Sequence, residues 1–496
     1  MRPSEAYKYE QIADDIDHLI ECGAFKPGDR IPSVRDMSRQ RDVSISTVLQ
    51  AYYLLEARGL IHARPRSGFY VRSDLPSHLP EPDTSSPDPD PAQVSVRELI
   101  SMVVHSEIHK PDLVQLGVAH PNPALAATQE LNRTMASVAR RMGDASGLYD
   151  YPPGCEELRI QIARRSLASG CSLSPDDIVI TSGCSESINL CLRAVCEPGN
   201  VVAIESPFYF DALQTLEALG LQALEIPTHP RDGISLNALR FAIDHNDVRA
   251  CLAISNFNNP LGSCIPDEKK RELVALLTEH RIPLIENDIF GELYFSDSRP
   301  SVAKAHDREG WVMLCSSFSK TLCPGYRVGW VVPGRFQPTI EWLKYTSSLA
   351  APTLSEYTIA TFMASGGYAP YLRRTRRTYE RHVAAMSQAV RRCFPEETRL
   401  TRPGGGFVLW VQLPECVDSV ALYKRALDAG IAITPGLLFS TSDQYRHFIR
   451  LNAANWSDEA EAAIERLGAI IEQLCRSRSL PERSLDTISR SPVAAD

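Results

Sequence analysis

The chain lacks a Cys-x-x-Cys pair, an apolar run long enough to span a bilayer, and any internal repeat of solenoid period. Its thirteen cysteines are an odd number and lie mostly in apolar stretches such as "INLCLRAVC", where a thiol behaves as a small hydrophobe. That distribution predicts a reducing compartment, no disulfide framework, and no zinc or other metal site. The opening "MRPSEAYKYEQIADD" is polar, with none of the apolar core of a signal peptide. Together with the missing span, it predicts a cytoplasmic protein with no membrane partner. Positive charge is also in short supply. Lys and Arg number 52 against 61 Asp and Glu, a net charge of −9, so the chain as a whole is no polyanion binder.

The distribution of that charge is uneven. Residues 1–25 hold two Lys/Arg against six Asp/Glu, whereas residues 26–72 hold nine against four. A local excess of +5 suits either a phosphate-binding face or an ordinary solvated one. At 496 residues the chain exceeds what one core usually holds, and 44% apolar with 23% charged residues is ordinary for a globular protein. The clearest boundary is "DLPSHLPEPDTSSPDPDPA", residues 74–92, with six prolines and almost no large apolar side chains. Such a stretch favours extended, solvated backbone. The expected organisation is a small unit over 1–73, a Pro-rich linker over 74–95, a large block over 96–478 and a polar tail over 479–496.

The small unit reads as three helices and a hairpin. Ile12, Ile16, Leu19 and Ile20 recur at helical spacing, with Gly23 as the stop. Ser33 caps a second helix, "VRDMSRQRD". A third begins near Ser44, with Ile45, Val48, Tyr52 and Leu55 facing inward and Gly59 ending it. "LIHARPRSGFYVRS" then gives two short strands carrying Arg64, Arg66 and Arg72. A helix pair of this kind can lay its second member in the major groove, with Ser44, Ser46, Thr47 and Gln50 outward, Arg35 nearby, and the hairpin arginines on the backbone or in the minor groove. On spacing alone, a small helical cap fits as well. The stretch "KPGDRIPSVRDMSRQRDVSISTVLQAYYLLEARGLIHARPRSGFYV" closely resembles the winged helix-turn-helix domain of GntR-type bacterial regulators. The resemblance implies double-stranded DNA as partner and puts Arg35, Ser46, Thr47 and Arg66 at DNA-contacting positions.

In the large block, "DDIVITSG", "NVVAIESP", "RACLAISNFNNP", "IPLIEND" and "GWVMLCSSFS" are short apolar runs, each followed by turn residues. This alternation predicts an α/β domain with a largely parallel sheet, its ligands gathered at the carboxyl ends of the strands. From about residue 380 a smaller α+β subdomain follows. In "SSFSKTLCPGYRVGW" Lys320 sits among small and hydroxylated residues, seven positions before Arg327. A lysine amine attacks an aldehyde only after shedding its proton, which burial near other cations assists. Arg327, with serine hydroxyls and backbone N–H groups, suits a phosphate dianion. Each further piece alone is ordinary loop chemistry: Cys184 and Ser185 opening a helix, Tyr209 as a stacking face, Asn259 as a donor, Asp288 as a carboxylate at a strand end. They occur together and in order.

Residues 110–475 resemble the fold-type-I aminotransferases, especially the branch with aminoadipate and kynurenine aminotransferases. The resemblance implies pyridoxal 5'-phosphate as cofactor. It makes Lys320 the covalently attached catalytic lysine, Asp288 the partner of the ring nitrogen, Asn259 the donor to the phenolic oxygen and Tyr209 the stacking aromatic. Cys184, Ser185, Ser317 and Arg327 match the phosphate cup, and Arg450 in "IRLNAA" matches the clamp for a substrate or effector carboxylate. "GLYDYPPGCEELR" matches a loop reaching the neighbouring subunit's site, with Tyr149 as a phosphate contact, which implies a head-to-tail homodimer. Relatives usually carry a tyrosine two or three residues after the aspartate. Here Phe290 and Gly291 stand there, and neither can donate to the phenolic oxygen. The whole chain resembles the MocR-type regulators, which implies a transcription factor that senses pyridoxal phosphate or an amino-acid effector. The alternatives are a catalytically active aminotransferase carrying a DNA-binding domain, and a regulator that uses the large block only to dimerise.

Overall fold

In a computed structural model of the protein, the chain divides between Leu79 and Pro80. Described are residues 8–21, 24–25, 28–57, 60–64, 67–71, 79–96, 100–101, 103 and 113–479. Gly23, Gly59, Arg66, Arg72 and the tail from 480 onward lie outside them.

The first unit contains helices α1 (Lys8–Glu21), α2 (Val34–Arg41) and α3 (Ile45–Ala57), then strands β1 (Ile61–Arg64) and β2 (Gly68–Val71), paired antiparallel. Its core joins Ile12, Ala13 and Ile16 of α1 to Val48, Ala51, Tyr52 and Leu55 of α3, closed by Ile61 and Val71 of the hairpin. The apolar stripes are narrower than the periodicity predicts. Leu19 is 37% exposed and Ile45, the first residue of α3, is 51% exposed. The Ser33 cap forms as the sequence predicts, and Ser44, near which the third helix was expected to begin, caps α3 as well. Ser33 Oγ accepts from the Asp36 N–H at 3.2 Å, and Ser44 Oγ accepts from the Thr47 N–H at 3.1 Å. Asp42 takes the left-handed conformation that ends α2 and turns the chain into α3.

The second unit is built on a nine-stranded sheet. Its spatial order is Ala92–Gln93, Gln222–His229, Val201–Ser206, Val248–Ala253, Leu284–Asn287, Val312–Ser317, Gly329–Val332 and Val179–Thr181, with Gly233–Ile234 hairpinned onto the second of these. From Gln222–His229 to Val312–Ser317 all neighbours run parallel, and Gly329–Val332 is antiparallel to both its neighbours. Leu273, Val274, Leu276 and Leu277 of the helix Asp267–Glu279 cover one face, where Leu284 points. The helix Cys184–Val195 lies on the other, its Cys191 sulfur 3.6 Å from that of Cys315. A four-stranded antiparallel sheet (Arg399–Leu400, Val408–Gln412, Phe448–Asn452, Thr434–Pro435) forms the smaller subdomain.

Two expectations are corrected here. The residues from Pro80 onward, read as linker, belong to the large unit. Glu81 pairs with Arg231, Asp83 with Arg399 at 2.9 Å, Ser85 Oγ donates to the Ser206 carbonyl at 2.6 Å, and Ala92–Gln93 adds an edge strand. The prolines keep this stretch extended, yet its acids and hydroxyls find fixed partners. Second, Cys416 and Cys475 are joined as a disulfide, their Cα atoms 5.2 Å apart. They are 59 residues apart in sequence, beyond what local spacing reveals. Among the described residues no helix is long and apolar enough to cross a membrane.

Candidate functional site

The turn from Val179–Thr181 into the helix Cys184–Val195 passes through Gly183, at φ +95°. A Cβ there would come 2.6 Å from Nη2 of Arg327. Glycine therefore lets the guanidinium lie across the helix entrance, where Nη2 donates to the Ser182 carbonyl at 3.0 Å. Arg327 itself is left-handed at φ 53°. Cys184 is buried and Ser185 exposed in the first turn, so backbone N–H groups, a hydroxyl and a guanidinium converge at the positive end of a helix. Ser317 ends its strand buried, its Oγ accepting from the Ser319 N–H at 3.3 Å.

Lys320 follows in the next turn. Its Nζ donates to the Ala119 carbonyl at 2.6 Å. Burial pulls its pKa down to about 8, with Asp211 opposing and the Arg450 and Arg327 charges assisting. Arg450, on the strand Phe448–Asn452, is 2% exposed. Its Nη1 donates to Asn259 Oδ1 at 3.0 Å, and its Nη2 to the Gly117 carbonyl at 2.8 Å. The rings of Phe439 and Phe210 flank the guanidinium at 5.0 and 5.6 Å. Asn259 thus spends its oxygen on Arg450, which leaves its Nδ2 as the donor end. Tyr209 hydrogen-bonds to Asn287, and burial raises its phenol well above the ordinary range.

The structure thereby links Lys320, Arg450, Asn259, Tyr209, Cys184 and Arg327, with Ser185 next to Cys184 in the helix's first turn and Ser317 three residues before Lys320. It does not bring Asp288 into that group. The Asp288 carboxylate accepts from Asn256 Nδ2 at 2.8 Å and pairs with Arg299, whose side chain is 8% exposed. Burial raises its pKa, against the pull of Arg299 and Asn256. The reason is strand parity. Leu284 and Glu286 face the helix Asp267–Glu279 side, and Asp288 continues their alternation. Asn287 faces the other way, its Oδ1 accepting from the Cys184 thiol at 3.5 Å and from the Ile289 N–H at 3.2 Å. The polar side chain that the strand end offers to the site is an amide. Phe290 is no donor either: it is 1% exposed and meets Phe407 edge to face at 5.2 Å. Tyr149 stands 67% exposed, next to Tyr151.

Three members of the site have no motif in the sequence. Asn287 was hidden by the acid beside it, although alternation along "PLIEND" puts it on the helix Cys184–Val195 face. His120 is held below its usual pKa by burial and by the Lys320 and Arg450 charges, against Asp211. Asp211, exposed in the first turn of its helix, is the carboxylate nearest in effect to Lys320. His120 comes from a loop and Asp211 from the first turn of the helix Phe210–Ala218, and only the fold decides their approach.

In the first unit, Arg35, Ser44, Ser46 and Gln50 are exposed on α2 and α3, with Thr47 half-buried among them. Ser44 Oγ lies 2.7 Å from both Ser46 Oγ and Thr47 Oγ1, a hydroxyl cluster at the start of α3. Arg64 lies over the Tyr70 ring at 4.4 Å, with Nε donating to His62. Arg66 lies outside the described residues.

Residues 112–467 match the aminotransferase class I and II family, and residues 8–71 match the gntR family of bacterial regulatory proteins. The HTH-type transcriptional regulator YdcR of Escherichia coli, itself described as uncharacterized, is 39% identical over 94% of this chain and 99% of its own. The chain belongs to the MocR-type branch of the gntR family. A second uncharacterized regulator, YjiR of Escherichia coli, is 37% identical over 94% of this chain and 98% of its own. Among solved structures, the α-aminoadipate aminotransferase LysN of Thermus thermophilus, complexed with N-(5'-phosphopyridoxyl)-L-leucine, superposes with a TM-score of 0.71 at 27% identity, over 76% of this chain and 95% of its own. This regulator is therefore a DNA-binding protein with a fold-type-I aminotransferase domain, and that domain implies pyridoxal phosphate. The residues present fit the cofactor's phosphate and aldehyde. Gly183 keeps the helix entrance open beside Arg327, and Lys320 carries an amine already depressed toward neutrality.

Proposed function

We propose that the large unit of this regulator binds pyridoxal phosphate through Lys320 and senses the cofactor, or a carboxylate-bearing amine that reacts with it, and that this state sets the affinity of the N-terminal unit for its operator. The observation that carries the reading is the pairing of a lysine lowered to about 8 with a buried arginine. When bound, pyridoxal phosphate supplies an aldehyde that exchanges one amine for another. Lys320 loses its proton readily because burial and two guanidinium groups disfavour the ammonium. Arg327, Ser185, Ser317 and the helix N–H groups, Cys184 included, hold the phosphate. Tyr209 provides the ring's stacking face, and Asn259 Nδ2 donates to its phenolic oxygen. Arg450 receives the effector's carboxylate, since a planar guanidinium anchored on one edge by Asn259 and Gly117 is fixed in orientation.

The DNA contacts are assigned to Arg35, Ser46, Thr47, Arg64 and Arg66, with the arginines supplying the salt-sensitive part of the affinity. The large units pair head to tail. Supporting this is an exposed aromatic strip in which Tyr149 meets Tyr151 at 6.0 Å and Tyr151 meets Tyr345 at 6.1 Å. Exposed apolar surface of this kind marks an interaction face, and Tyr149 reaches the partner's phosphate across it. Coupling of the two sites is reciprocal: an effector that weakens operator binding is itself bound more weakly in the presence of operator.

Borohydride reduction tests the cofactor assignment. The wild-type protein is expected to retain reduced cofactor on the tryptic peptide containing Lys320, and Lys320→Ala is expected to retain none. Label trapped on a different lysine in both proteins contradicts the assignment. A second reading, a working aminotransferase, is favoured by the intact Lys320 and Arg450. It predicts full conversion of bound cofactor to pyridoxamine phosphate on incubation with an amino acid.

A further inference from the structure

Resting on the proposal that Lys320 holds pyridoxal phosphate, we infer that Asn287 occupies the ring-nitrogen position, and that the site consequently holds the cofactor with its pyridine nitrogen unprotonated. A protonated ring draws electrons from a bound amine and speeds loss of its α-proton. Keeping that proton requires a carboxylate at the nitrogen. Asn287 sits at the end of the central strand on the face of the helix Cys184–Val195, in hydrogen-bond contact with Cys184 and Tyr209. A neutral amide offers no charge to balance a pyridinium.

The neighbouring carboxylates cannot substitute. Asp288 is committed to Arg299 and Asn256, and a Cβ at residue 291 would fall 2.2 Å from its Oδ1, so glycine at 291 is what lets the carboxylate lie where it does. Turning Asp288 toward Asn287's side would strip Arg299, a buried guanidinium, of the closer of its two carboxylate partners and leave it Glu292 at 3.5 Å. Glu286 lies on the Asp288 face, bound by Ser255 Oγ and by the N–H groups of Ala303 and Lys304. Asp211 is exposed at the start of the helix Phe210–Ala218 and acts on Lys320. Phe290, turned into the core, adds no phenol. The site is equipped to capture and exchange amines and is poorly equipped to carry them through to transamination, which suits a sensor whose ligand must persist.

The test is the nitrogen-15 resonance of ring-labelled pyridoxal phosphate bound to the full-length protein near pH 7.5, a readout independent of turnover. The wild-type protein is expected to show the shift of a neutral pyridine, Asn287→Asp that of a pyridinium, and Asp288→Asn and Asp211→Asn no change from wild type. The Asn287→Asp protein is also expected to form pyridoxamine phosphate from an amino acid roughly 10- to 100-fold faster. A pyridinium shift in the wild-type protein that disappears in Asp288→Asn or Asp211→Asn overturns the inference while leaving Lys320 as the cofactor lysine. Failure of the wild-type protein to take up the label at all overturns the cofactor reading and this inference with it. The wild-type spectrum decides the matter even if Asn287→Asp does not fold.

Discussion

Lys320 carries the amine of the cofactor site, and its lowered pKa gives stability a pH dependence of definite sign. The folded value of about 8 lies below the ordinary 10.5 of a lysine, so between these values the folded state binds fewer protons than the unfolded chain. Stability of the cofactor-free protein is therefore expected to rise with pH through this window, relative to Lys320→Met, and to show no such gain below pH 8. Parallel denaturant titrations of the two proteins check this; identical pH profiles contradict a depressed lysine. The rate of cofactor capture is expected to rise through the same pKa, as the free amine becomes available. At this scale the sequence was legible where a residue carries its own chemistry in a fixed local frame, as Lys320, Arg327 and Arg450 do. Asp288 differs, because only side-chain parity along Leu284–Asn287 decides which neighbour faces the helix Cys184–Val195, and that neighbour is Asn287.

The elements explain why the site assembles. The helix Cys184–Val195 presents its positive end to the site only because Gly183 turns at φ +95° and leaves room for Arg327. Gly183→Ala is expected to weaken pyridoxal phosphate binding by about tenfold or more, since an L-residue is strained at that φ and its Cβ displaces the guanidinium. Isothermal titration with the cofactor measures it, and unchanged affinity removes this turn from the phosphate site. Five of the sheet's strands were legible as apolar runs bounded by turn residues. Gln222–His229 was not, because it contains Glu225 and Pro227. The structure accommodates the acid by surrounding it with donors: Ser206 Oγ, Ser440 Oγ at 2.7 Å and the Thr441 N–H at 2.6 Å. A sequence pattern cannot foresee donors from more than 200 residues away.

At the scale of the whole molecule, the pairing of a DNA-reading unit with an aminotransferase unit was legible in the motifs, while the seam between them was not. Composition placed a free linker at 74–95, whereas the large unit begins at Pro80. A protein starting at Pro80 is expected to fold and bind cofactor. One starting at residue 96 loses the Glu81–Arg231 and Asp83–Arg399 pairs and the edge strand Ala92–Gln93, and is expected to melt several degrees lower. Equal melting temperatures would mean that the docked segment contributes nothing. Whether the state of the cofactor site governs operator binding is read by titrating the full-length protein against the DNA upstream of its own and neighbouring genes. The titration is run with and without pyridoxal phosphate at two salt concentrations. Site-selective binding is expected, with an affinity that shifts with the cofactor in wild type and not in Lys320→Ala. Binding that is indifferent to sequence and cofactor, and is lost at the higher salt, would contradict it.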